Sequence, residues 1–158
     1  MKHFILAIGC LLINYIATSQ SPQPFSIKLE PVIPAEFTGI QSYAWAKEGD
    51  KVVLIGGRTD GLHRRQPFAA FGKKYNNTDI VVVDFKKERV WKKNILTLPP
   101  AIAEQLQSSN MEFFQQGNEL LIIGGYGYSE TKKNHITHPA IIRLKVKELI
   151  NAIINNQD

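Results

Sequence analysis

Val52-Val53-Leu54-Ile55-Gly56-Gly57 returns 68 residues later as Leu120-Leu121-Ile122-Ile123-Gly124-Gly125. The match runs upstream, with Glu48-Gly49-Asp50-Lys51 against Gln116-Gly117-Asn118-Glu119. Of these ten aligned positions four are identical and five more are conservative. An internal repeat marks supersecondary units that cannot bury their faces alone and must stack. Each apolar run is short and closed by a glycine pair, so it reads as a strand. With no polar alternation, it is expected to be buried on both faces.

Working outward, Gln41–Lys47 is short and aromatic, with Tyr43 and Trp45 two apart. Gly49-Asp50 is a hairpin turn, and Lys51–Ile55 is the buried strand. A long loop, Arg58–Thr78, leads to Asp79–Asp84, whose Ile80-Val81-Val82-Val83 is the next strand. Lys86-Lys87-Glu88 is a charged turn before Arg89–Ile95, a polar outer strand carrying Trp91. Leu98-Pro99-Pro100 breaks the chain, and Ala101–Gln107 is expected to make a turn or two of helix. The pattern then restarts. Asn110–Gln115 is the aromatic strand again, Gly117-Asn118 the turn, Glu119–Ile123 the buried strand, Tyr126–Pro139 the long loop and Ala140–Val146 the third strand. A fourth strand does not follow. Val146, Leu149, Ile150, Ile153 and Ile154 keep helical spacing, which predicts a helix over Lys147–Asn155.

Met1-Lys2-His3, an apolar run from Phe4 to Ile16 and the small residues Ala17-Thr18-Ser19 form a secretory signal peptide pattern over residues 1–19, cut before Gln20. The run is shorter than the ~20 apolar residues a spanning helix needs. A lipid-modified Cys10 would end the apolar run, yet Leu11-Leu12-Ile13 continue it, so no membrane anchor is expected. Cys10 is the one cysteine, so the exported remainder must hold itself by core burial. Residues 20–38 are Pro-rich and read as extended, with one edge strand near Phe25–Leu29. The net charge of +5 loses only Lys2 with the signal and is spread over doublets such as Lys73-Lys74 and Lys92-Lys93. Nucleic-acid binding would want a concentrated basic face, so it is not expected.

With these residues in place the chain resembles the kelch-repeat β-propeller proteins of exported bacterial type. A kelch blade has an apolar strand ending in a glycine pair, then an apolar strand ending in Asp, an aromatic just after it, and a Trp six residues beyond. Here these are Gly56, Gly57, Asp84, Phe85 and Trp91, with Phe85 where Tyr is commoner. The second unit matches through Gly124 and Gly125 and then departs: Lys145 stands where the Asp belongs, and the Trp is missing. The resemblance covers about residues 39–146. It implies an all-β chain of about two four-stranded antiparallel kelch blades with a short C-terminal helix. Blade one would span 39–97, an inter-blade loop 98–109, an incomplete blade two 110–146, and the helix and tail 147–158. Closed propellers have typically 4–8 blades. Missing blades are therefore expected from the rest of a longer chain or from self-association.

In the family the signature residues are structural, not catalytic. The long loops Arg58–Thr78, Asn94–Asn110 and Tyr126–Pro139 would open on one face, where binding groups sit on a rigid scaffold. Candidate ligand-binding residues there are Arg58, His63, Arg64 and Arg65 for a carboxylate, and Tyr126 and Tyr128 for a sugar face. His135 and His138, three apart, resemble half a metal site, but lack a nearby Cys, Asp or Glu in sequence, so no metal and no cofactor is expected. The expected function is an exported binding or scaffolding module for a protein or glycan, without evident catalysis. Among kelch enzymes, galactose oxidase needs a cysteine that the exported chain lacks. The alternative is a sugar mutarotase resembling N-acetylneuraminate epimerase, which needs none.

Overall fold

Two-residue turns set the first register in each half of the chain. Gly49-Asp50 and Gly117-Asn118 join strands whose flanking residues pair directly, Glu48 with Lys51 and Gln116 with Glu119. Gly49 and Gly117 hold φ of 60° and 56°, the left-handed conformation such turns require. The structure, a computed structural model, describes residues 25–61 and 70–156. The signal-peptide reading, the cut before Gln20, Cys10, His63, Arg64 and Arg65 lie outside them. The chain divides into two units, Met1–Pro31 and Val32–Asp158. In the first, residues 25–31 carry no strand, and Phe25, Ile27 and Leu29 are exposed. The edge strand expected there is absent, because alternating apolar residues make a strand only when a ladder satisfies their backbone.

The second unit is mostly β. Strands β1 (Ala44–Glu48), β2 (Lys51–Ile55), β3 (Asp79–Asp84) and β4 (Arg89–Asn94) form a four-stranded antiparallel sheet in chain order. Helix α1 (Pro100–Leu106) follows. Then come β5 (Ser109–Gln116), β6 (Glu119–Ser129), β7 (Asn134–Thr137) and β8 (Ile141–Lys145), a second antiparallel sheet, and helix α2 (Val146–Ile154). The two sheets do not close on one another through a shared ladder.

A second expectation is corrected. Tyr126–Pro139 is not a long loop. Strand β6 runs on through Ser129 and turns back as β7, pairing Tyr126 with Thr137 and Tyr128 with His135. The reason is the alternation Tyr126, Tyr128 and His135, Thr137, of residue types that favour a pleated surface. Strand β6 changes partner at Gly124-Gly125, pairing β8 before it and β7 after it. Ile123 is also 45% exposed, so the second repeat strand is buried on one face only.

Helix α2 does not extend the second sheet. It packs on the first, and its Val146, Ile150 and Ile153 join the main core. That core lies between one face of the first sheet (Ala44, Ala46, Val53, Ile55, Ile80, Val82) and one face of the second (Met111, Leu120, Ile122), with Trp91 packed at its edge. Burial of each such Val or Ile contributes roughly 1.5–3 kcal/mol. The other face of the first sheet, Leu54, Val81 and Val83, is covered by Phe37, Ile40 and Tyr43 from the segment before β1.

The repeat is legible in the contacts. Trp45 meets Phe113 edge-on at 6.1 Å, and Gln115 brackets Lys47, accepting from its N–H and donating to its carbonyl at 2.8 Å each. Both pairs join positions 68 apart. A Cβ on Gly57 would fall 2.9 Å from Ile40 Cγ2 and 3.1 Å from Tyr43 Cβ; one on Gly125 would fall 2.1 Å from Ser108 Oγ and 2.6 Å from Met111 Cγ. Ser108 and Met111 are the repeat mates of Ile40 and Tyr43. In both sheets, then, the second glycine lets the segment entering the first strand cross directly over it. Asp84 accepts the Lys87 N–H at 2.9 Å and so fixes the turn between β3 and β4.

Candidate functional site

Three segments that the sequence placed on one face do meet: the loop after β2, the α1 region after β4, and the β6–β7 hairpin. Arg58 organises the first. It is 2% exposed, and its Nε and Nη2 donate to the two Asp60 carboxylate oxygens at 3.0 and 2.7 Å. Weaker bonds reach Asn76 Oδ1 and the Gly72 carbonyl, both at 3.4 Å. The guanidinium also lies 5.5 Å from the Phe71 ring centre and 6.0 Å from that of Tyr75. Its bidentate capacity is therefore spent on shaping its own loop.

Tyr126, Tyr128 and His135 come together across the hairpin. His135 stacks on Tyr126 at 5.8 Å and meets Tyr128 edge-on at 5.4 Å. Phe71 meets Tyr126 edge-on at 5.1 Å, and its carbonyl lies 3.2 Å from His135 Nε2. These aromatic surfaces join the hairpin to the loop and are largely engaged with each other.

His138 parts company with His135. It is 5% exposed, and its Nε2 has no hydrogen-bond partner among the described residues. Burial holds the imidazole below its usual pKa, with the nearby Glu104 charge opposing. Glu104 was invisible to sequence reasoning. It sits in α1, 6% exposed, with partners 25 and 27 residues away. Ser129 Oγ donates to it at 2.6 Å, Thr131 Oγ1 at 2.8 Å and Thr131 N–H at 3.0 Å. Burial works to raise the Glu104 carboxyl's pKa, but these bonds outweigh it and hold it below the usual range. The only local signal was one acidic residue between Ala103 and Leu106 on an apolar helix.

Ser129, His138 and Glu104 are the residue types of a nucleophile, a base and its orienter, but their bonding is wrong for that chemistry. The hydroxyl donates to the carboxylate, and the imidazole bonds neither. Among the described residues, no group of three or more His, Cys, Asp or Glu could hold a metal. No helix among them is long and apolar enough to cross a membrane.

Beside Glu104 lies a cavity of about 640 Å³, walled by Leu96, Leu98, Pro100 and Ala103 and edged by Lys73, Lys74, Gln107 and Glu130. Its size falls in the range of small-ligand sites, ~300–1,000 Å³. Lys73, from the 3-10 turn Lys73–Tyr75, pairs with Glu130 of the hairpin turn, which also accepts from Lys133 at 3.0 Å. Hydrogen bonds from Lys73 and then Lys133 lower the Glu130 pKa. The chain matches no protein-family model and no curated protein sequence.

Proposed function

We propose that this chain is an exported binding module of the kelch-repeat type, its two sheets serving as propeller blades, and that it holds an apolar segment of a protein ligand at its loop end. The observation that carries the reading is the cavity beside α1. Its wall is apolar, while Glu104 is engaged by Ser129 and Thr131 and Lys73 by Glu130. Such a wall offers burial of apolar area and no group poised for chemistry. A glycan is less favoured, because Tyr126 is flanked by His135 and Phe71. The mutarotase alternative gains nothing from Arg58, the one described candidate for its carboxylate. The blade reading is supported by the contacts that join repeat mates 68 residues apart.

Selection of a displayed peptide library and a glycan panel on the purified protein tests this. Peptides with apolar anchors should be enriched, and Leu98→Asp, on an exposed wall residue, should abolish that enrichment. Selection of glycans alone, or peptide binding indifferent to Leu98→Asp, would overturn the reading. So would acceleration of sialic acid anomer exchange followed by NMR.

A further inference from the structure

The chain leaves helix α1 and enters β5 through a run of buried polar residues, Glu104, Gln105, Gln107, Ser108 and Ser109, none more than 7% exposed. All but Gln107 spend their side chains inside the chain. Glu104 accepts from Ser129 and Thr131. Gln105 donates from Nε2 to the Gly124 and Ala140 carbonyls, at 3.1 and 2.8 Å. The Ser108 hydroxyl donates to the Gln105 carbonyl at 2.6 Å, and the Ser109 hydroxyl to the Tyr126 carbonyl at 3.2 Å. Gln107 differs. Its backbone N–H closes α1 on the Ala103 carbonyl, but its side-chain amide bonds nothing among the described residues. Among those residues the sealed and unbonded side-chain atom is His138 Nε2, so the Gln107 amide keeps an opening. The residue lines the cavity walled by Leu96, Leu98 and Pro100.

A primary amide carries an acceptor and two donors side by side. The chain itself shows what such a group does to an extended backbone. Gln115 accepts from the Lys47 N–H and donates to the Lys47 carbonyl at 2.8 Å each, and Lys47 lies in strand β1. A nearly buried amide left unbonded is costly, and this one stands beside an apolar wall. We propose that Gln107 brackets one extended residue of a peptide ligand in the same way, accepting from its N–H and donating to its carbonyl. The side chain of that residue then lies on Leu96, Leu98 and Pro100. The proposal rests on the reading of the cavity as a peptide site and adds the group that recognises the ligand's main chain. Glu104 is one turn back on the same helix and cannot take this part, because its carboxylate is already held by Ser129 and Thr131 and has no proton to donate.

Chemical-shift titration of the isotope-labelled protein with N-acetyl-leucine methylamide tests this. The comparison probe is its analogue with an ester oxygen in place of the leucine N–H, which keeps the same side chain and carbonyl. We expect the amide to bind with a dissociation constant near about 1 mM, as a fragment of that size can reach, and to shift the Gln107 side-chain amide signals. The ester should bind about fivefold more weakly. Gln107→Leu should lose the preference and bind both probes alike. Equal binding of the two probes by the wild-type protein would overturn the assignment of Gln107 and leave the apolar cavity standing, a readout that does not depend on how the variant folds. A preference that survives Gln107→Leu would overturn it too. Binding of neither probe at about twenty times that concentration would overturn both this assignment and the peptide-site reading.

Discussion

At His138 and Glu104 two buried titratable groups are shifted in the same direction, and their consequences for stability can be worked out in sign. The folded imidazole is held below its ordinary value by burial, so the unfolded chain binds its proton more readily. Stability then falls as pH drops below about 6.5, the unperturbed histidine value. The Glu104 carboxylate is held low despite burial, because Ser129 and Thr131 bond its charged form. Its contribution is present above about pH 4.3 and is lost as pH falls through the lower folded value. His138→Gln should therefore flatten the decline of unfolding free energy between about pH 6.5 and 5 and leave the steeper loss below it. Chemical denaturation across that range measures both, and an unchanged slope in the variant would remove His138 from the account. This pair also shows where sequence reading stopped. His138 was found by type and spacing, but the nearby Glu104 charge was not, because helix α1 reaches the hairpin only in three dimensions. Arg58 was found for a ligand's carboxylate and turned out to hold Asp60, two residues away.

Among the elements, the strands with strong local signals stand where their residues put them. Lys51–Ile55 and Asp79–Asp84 coincide with β2 and β3, and helix α2 starts one residue before its expected range and ends one short of it. These were legible because a glycine pair, a terminal Asp and a helical apolar stripe are all local. The β6–β7 hairpin was not, because its four-residue strand is too short to outweigh the reading of a loop. Where the α2 stripe docks was equally hidden, since a stripe says that it is buried and not against what. The helix in fact seals the first sheet. Ile150, 2% exposed, should accordingly cost about 2–5 kcal/mol when replaced by Ala. Thermal unfolding should show that loss for the unit as a whole. A change confined to the fraying of the C-terminal turn would mean that α2 is an appendage.

For the whole of the unit from Val32 onward, the account rests on one asymmetry: two sheets built from the same repeat, with the same face filled in one and, among the described residues, open in the other. Gly56 and Gly124 report it directly. Both hold nearly the same left-handed conformation, φ 68° and 69°, so an alanine at either meets the same backbone penalty. Only at Gly56 would the new methyl also strike the Leu106 and Ser108 carbonyls, at 2.8 and 2.5 Å. The backbone penalty is about 1–2 kcal/mol for each, and overpacking adds about 1–3 kcal/mol at Gly56 alone. Equilibrium unfolding of Gly56→Ala and Gly124→Ala, compared at a concentration where both are monomeric, is the measurement that decides. The structure predicts that Gly56→Ala loses at least about 1 kcal/mol more than Gly124→Ala; equal losses would mean that the segment from α1 into β5 does not cross Gly56 as described.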